Sequence, residues 1–281
     1  MKHKKFACFI LTHGRPDNQK TLHSLKKYGY TGKTYLIIDN EDLSKDKYKV
    51  KYDNVIVFDK EKAASITDRG DIIQKKNVVV FARNMCHEIA ANLGLDYFLE
   101  LDDDYNEFQY RYDDGDKLAV IWPKRLDDIF DCYLDFLDVS KAKTVCLAQS
   151  GDFMGGRESF STKAVMRKAM NAFFCRTDRP FKFMGRINED VNAYVTLGHQ
   201  GNLFFTLGAV NVNQGETQQH AGGLTDSYLE NGTYMKSFYT VMMCPSAVKI
   251  STLKRFNVRI HHKINWNRCA PKILRQEHKH V

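Results

Sequence analysis

The chain has 281 residues, 43% apolar and 12% aromatic, and its 42 Lys and Arg against 34 Asp and Glu give a formal charge of +8. That content can bury a substantial core and excludes a disordered or low-complexity polypeptide. No apolar stretch is long enough to span a bilayer, and seven cysteines without Cys-x-x-Cys spacing argue against a disulfide framework and a zinc site.

Phe6 to Thr12 and Thr34 to Asp39 read as strands around a polar, helix-compatible stretch, Asp17 to Tyr28, which is a βαβ pattern. The first apolar run is too short for a signal h-region, so a reducing, cytoplasmic setting is expected, the host cell cytoplasm if a phage encodes the chain. The two strands end in Thr12-His13-Gly14-Arg15-Pro16 and Asp39-Asn40-Glu41-Asp42. Val78 to Leu93 predicts an amphipathic helix, with Ala82, Met85, Ile89 and Leu93 on one stripe and Gly94 as its stop. Tyr97 to Asp102 is then a strand that closes on Asp102-Asp103-Asp104. In extended backbone, Asp102 and Asp104 point one way and Asp103 the other. One or two carboxylates hold a hard divalent cation whose shell is completed by water and substrate phosphates, whereas the plainer alternative is a solvated acidic turn. Open α/β sheets bind ligands beyond the carboxyl ends of their strands, where all three of these strands end.

Downstream, a strand from Thr144 to Ala148 precedes Asp152-Phe-Met-Gly155-Gly156-Arg157, either a loop that a substrate can approach closely or an ordinary turn. Glu189 and Asp190 stand where a helical pattern begins; carboxylates there serve the helix dipole or act as a general base. Residues 249–281 hold nine Lys or Arg and one Glu, a local excess equal to the whole net charge. Interleaved with Trp266, His261 and His262, cations such as Lys254, Arg255 and Arg259 suit phosphate contact with some base stacking. An acidic membrane surface or a solvated face is the alternative use of that charge.

In order, Thr12 and Arg15, Asp39, Ala82-Arg83-Asn84 and Asp102-Asp103-Asp104 resemble the nucleotide-sugar glycosyltransferases of GT-A fold. The resemblance implies an α/β, Rossmann-like single domain with a mixed, mainly parallel central sheet and a basic C-terminal extension. Residues 1–110 would form the nucleotide-sugar half, 111–248 the acceptor half and 249–281 the extension. It further implies that Thr12, Arg15 and Asp39 address the nucleoside end of the donor, Arg83 and Asn84 the donor phosphates, and Asp102, Asp103 and Asp104 the ribose and a Mn2+ or Mg2+ ion. A later histidine, His220 or else His262, would complete the metal shell. Asp190, with Glu189 second, would be the base, and the Asp152, Gly155, Gly156 and Arg157 loop with Lys254, Arg255, Arg259 and Trp266 would meet the acceptor.

The Leu-Glu-Leu-Asp-Asp-Asp-Tyr and Gly-Arg-Ile-Asn-Glu-Asp-Val-Asn segments, with the basic tail, are similar to one branch, the TET/JBP-associated glycosyltransferases. That likeness implies transfer from a nucleoside diphosphate sugar, a UDP-sugar by expectation, to hydroxymethylated pyrimidines in DNA, as in phage DNA modification, with no membrane partner. Phe181 and Phe183 would then fill the gap left by a base turned out of the duplex, unless they are core. Two other readings stand beside it: a glycosyltransferase for a polysaccharide, lipid or protein acceptor, and a non-catalytic nucleic-acid-binding protein.

Overall fold

β1 (Phe6–Leu11) is buried at every position, as a strand covered on both faces must be. Its alternate side chains enter two cores: Ala7, Phe9 and Leu11 one, Phe6, Cys8 and Ile10 the other. The computed structural model describes residues 1–73, 76–153, 156, 169–170, 172–214, 225–254 and 258–279. Around β1 the chain adds α1 (Lys20–Lys27), β2 (Lys33–Asp39), α2 (Lys45–Lys51), β3 (Val55–Phe58), α3 (Lys60–Ser65), α4 (Val80–Asn92) and β4 (Tyr97–Asp102). There follow β5 (Tyr105–Asp113), β6 (Leu118–Ile121), α5 (Leu126–Ser140), β7 (Thr144–Gln149), β8 (Phe173–Arg176), α6 (Glu189–His199) and β9 (Phe204–Gln214). The last elements are α7 (Thr225–Met243), β10 (Val248–Lys254), β11 (Val258–Ile264) and the single turn α8 (Trp266–Cys269).

Among the described residues, nine strands form one sheet in the order β3-β2-β1-β4-β8-β7-β9-β5-β6, and all but β8 and β5 run the same way. This is the mixed, mainly parallel α/β architecture expected. Leu25 of α1 and Phe130, Leu134 and Leu137 of α5 cover one face, while Met85 and Ile89 of α4 and Val191 and Tyr194 of α6 cover the other. The buried face of α4 is centred on Phe81, Met85 and Ile89; Leu93, expected on the same stripe, is 38% exposed because the helix has ended and Gly94 turns the chain at φ 65°.

β4 stops at Asp102, and Asp103-Asp104 form a turn rather than extended chain. The first residues of α1 pin that turn: the Thr21 hydroxyl donates to the Asp102 carbonyl at 2.6 Å and accepts from the Tyr105 amide at 2.9 Å. Residues 249–281 are fastened to the rest of the chain. Val248, Ile264 and Cys269 join the first core, and buried His278 accepts from the Leu203 amide through Nε2 (3.2 Å) while Nδ1 donates to the Lys141 carbonyl (2.8 Å). Among the described residues no helix is long and apolar enough to cross a membrane.

His87 on α4 has neither ring nitrogen hydrogen-bonded and lies edge-on to Phe98 and Phe181. Burial pushes its pKa down to about 4, only partly offset by the Thr177 backbone. A histidine depressed in the fold binds its proton more readily when unfolded, so its contribution is present above the unfolded value and lost as pH falls. In unfolding measured between pH 7.5 and pH 5 the wild type is expected to lose about 2 kcal/mol relative to His87→Phe, which keeps the raised carboxyls Glu100 and Asp102 but not the histidine. An equal loss in the variant would assign the effect to other groups.

Candidate active site

The carboxyl ends of β1, β2 and β4 meet at one edge of the sheet, where Leu11 is in register with Asp102. At the β2 end, Asp39 takes a hydrogen bond from His13 Nδ1 at 2.7 Å and from Lys60 Nζ at 3.2 Å. Burial works to raise the Asp39 pKa, but His13 and Lys60 outweigh it and hold the carboxylate below its ordinary value. In the β1 loop the Thr12 hydroxyl donates to Asp103 Oδ2 at 2.6 Å and accepts from Gln19 at 2.9 Å, and Arg15 Nη1 reaches Asp103 Oδ1 at 2.9 Å. Asp103 is therefore the carboxylate that ties the acidic turn to β1. The alternation expected for Asp102 and Asp104 fails because the strand has already ended; Asp104 instead accepts from Gln214 Nε2, at the end of β9, at 3.0 Å.

Beneath this edge lies a buried charge cluster. Arg83 is 1% exposed; its Nε donates to Glu189 at 3.0 Å, its Nη2 to Asp102 at 3.0 Å, and its Nη1 lies 3.5 Å from Glu100. Phe173 and Phe183 flank the guanidinium at 5.3 and 5.7 Å. One cation thus faces three carboxylates, with Asp190 near enough to hold Arg83 protonated as well. Burial raises Glu100 to about 8 in spite of Arg83. Burial raises Asp102 to about 7, with Asp104 and Glu189 adding to it and Arg83 opposing. Glu189 is raised by burial and by Asp190. Glu189 and Asp190 open α6 after Asn188, a left-handed residue (φ 55°) whose amide donates to the Lys236 carbonyl and Thr240 hydroxyl of α7.

Thr12, Arg15, Asp39, Asp102, Asp103, Asp104, Glu189 and Asp190 are thus gathered along one edge. Arg83, expected on donor phosphates, lies under that edge with Nε and Nη2 committed to carboxylates and Nη1 buried 3.5 Å from Glu100 without a hydrogen bond. Asn84 faces elsewhere, clamping the Phe183 backbone through both amide atoms. Phe181 and Phe183 are core residues. His262 belongs to the separate β10-β11 hairpin and stacks on His261 at 4.3 Å; among the described residues no group of three or more His, Cys, Asp or Glu is arranged to hold a metal. Trp266 packs edge-on to Tyr194 at 5.6 Å against the core, so its ring is not an open stacking surface. Asp152 caps its own loop by accepting from the Gln149 amide, beside Gly156 at φ 62°. Lys254 and Arg259 lie on the hairpin strands, while His220, Gly155, Arg157 and Arg255 lie outside the described residues.

His13, Lys60, Gln214 and Glu100 belong to the site although sequence reasoning assigned them no role. Lys60 had a readable signal, since Val55-Ile-Val-Phe58 is an unbroken apolar run that delivers Asp59 and Lys60 to the same edge.

The sequence matches the model of a family described as TET-associated glycosyltransferase over residues 6–223. No curated protein matches it. Among solved structures, glucosyl-3-phosphoglycerate synthase from Mycobacterium tuberculosis with Mg2+ and uridine diphosphate is similar at a TM-score of 0.47 and 10% identity, over 92% of this chain and 87% of that chain. The Mycobacterium tuberculosis enzyme with Mn2+ and UDP-glucose gives 0.47 and 8% identity, over 92% and 86%.

Proposed function

The chain belongs to the TET-associated glycosyltransferase family, and from that premise we propose that it moves a sugar from a nucleoside diphosphate sugar, a UDP-sugar, to the hydroxymethyl group of a modified pyrimidine in DNA. The observation that carries the reading is the convergence of Asp102, Glu189 and Asp190 around the buried Arg83 at the carboxyl edge of the sheet, with Asp104 beside Asp102. Family membership makes the chain a glycosyltransferase; the DNA acceptor rests on the family's description and on the basic residues 249–281.

Asp102 and Asp104 suit a Mn2+ or Mg2+ ion. They supply two hard oxygen donors, and burial, with Asp104 and Glu189 adding to it against Arg83, raises Asp102 to about 7, so a cation would offset charge held there at a cost. Such an ion supplies charge stabilisation for the departing diphosphate. Asp39, with His13 and Lys60, offers the nucleoside a carboxylate already fixed in place, and Thr12 and Arg15 hold the turn through Asp103. Asp190 takes the proton of the acceptor hydroxyl as its oxygen bonds to the anomeric carbon and the bond from that carbon to the nucleoside diphosphate breaks. Arg83 holds Glu189 and Asp102 in fixed relation from below, which keeps the base and the donor side in register.

The test is to incubate the protein with Mn2+ or Mg2+, a panel of nucleoside diphosphate sugars and DNA containing 5-hydroxymethylcytosine or 5-hydroxymethyluracil, then weigh the digested nucleosides. A sugar-sized gain that disappears in Asp104→Ala is the expected result. Donor hydrolysis without any gain on DNA would move the acceptor to a polysaccharide, lipid or protein.

A further inference from the structure

α6 carries the chain away from the carboxylates: it opens at Glu189 and ends at His199, 11 residues or about 16 Å later. At that far end, the last turn of α6 and the segment after α8 enclose an open cavity of about 440 Å3. Its charged walls are Arg268, Lys272 and Arg275, with His199 beside them, and among the described residues no carboxylate lines it. Backbone geometry fixes its shape. The Arg275 amide donates to the Gly201 carbonyl at 3.1 Å, and Gly201 sits at φ 90°, where a Cβ would come within 2.5 Å of the Ile273 carbonyl. Arg268 is held from behind by its donation to the Ser246 carbonyl at 2.7 Å.

The charges here lack the carboxylate partners that several other surface lysines have. Lys2, Lys51, Lys62 and Lys143 each face a carboxylate within 3.2 Å. Among the described residues, Lys249, Lys263, Arg268, Lys272 and Arg275 are exposed and form no ion pair with any carboxylate. Like charges gathered without counter-ions repel one another, and an anionic ligand offsets that cost. We propose that this cavity seats a backbone phosphate of the acceptor DNA, with Lys272 and Arg275 supplying charge and Arg268 a planar set of donors. The proposal rests on the DNA-acceptor reading above. At one phosphate per roughly 3.4 Å of strand, a seat about 16 Å from the carboxylates lies about five nucleotides from the modified base.

Fluorescence anisotropy of a short duplex, titrated with the full-length protein between about 50 and 200 mM salt, tests it. Lys272→Glu combined with Arg275→Glu is expected to lower affinity at least about tenfold and to reduce the slope of log K against log salt by about 1, since the one phosphate contact contributes about 0.9. Lys47→Glu with Lys49→Glu on α2, also exposed, is the control and should bind as wild type does. If the double reversal does not fold, Lys272→Gln combined with Arg275→Gln should still reduce the slope by about 1. An unchanged slope in a variant that melts at the wild-type temperature overturns the proposal. Absence of DNA binding by the wild-type protein, together with sugar transfer to another acceptor, would instead show that the acceptor reading had failed and this seat with it.

Discussion

Asp102→Asn should abolish most sugar transfer, by about two to three orders of magnitude, while the protein stays folded. The substitution keeps an oxygen for Arg83 to hold and removes a charge that the surroundings already disfavour: burial, with Asp104 and Glu189 behind it, brings this carboxyl to about 7. Thermal melting should therefore change by a few degrees at most, or rise. Steady-state transfer rates and melting curves on the same preparation decide the matter. Full activity would remove Asp102 from the reaction, and a parallel collapse of activity and stability would make it a structural residue.

Arg83→Met should do the reverse and damage the fold first. It leaves Glu100, Asp102 and Glu189 buried with no cation among them, and stranding buried charge in this way costs about 3–5 kcal/mol, a large share of the roughly 5–15 kcal/mol that holds a domain together. Adding Glu100→Gln to Arg83→Met should recover part of the loss, because Glu100 is the most deeply buried of the three. Arg83→Lys should fall between, since a single ammonium cannot reproduce a fork that reaches three partners. Urea unfolding of the three variants supplies the comparison. If Arg83→Met unfolds like wild type but loses donor affinity, the guanidinium reaches phosphate and its place beneath the site has been misjudged.

The gathering of strand ends was legible because each strand is an apolar run that stops at polar residues, and parallel strands joined by helices must end on one edge. The partners of those residues were not. Asp103 was expected to point away from Asp102 and Asp104, but alternation holds only while backbone is extended, and here the strand ends one residue earlier. Arg83 looked like a surface arginine reaching for phosphate; its burial depends on carboxylates from β4 and α6, the latter 106 positions away, which no local pattern reveals. Trp266 and His262 sit in a basic segment that resembles a nucleic-acid surface by composition, yet composition does not say which side of a strand or turn faces the core, and both are packed inward. Among the cations that face solvent, Arg268, Lys272 and Arg275 lie a few residues further along.

The turn between β4 and β5 also constrains how this protein can vary. Those strands stand four places apart in the sheet, about 19 Å if it were flat, but only Asp103 and Asp104 separate them, and the three steps from Asp102 to Tyr105 reach at most about 11 Å. The sheet must curl to close that gap, and the acidic turn is the drawstring that keeps it curled and brings Gln214 against Asp104. Chain length here is consequently not free to drift: one inserted residue would slacken the curl and part the carboxylates without altering any of them. The exposed turn at Asp114-Gly115-Asp116 carries no such tension and is where the same insertion should pass unnoticed.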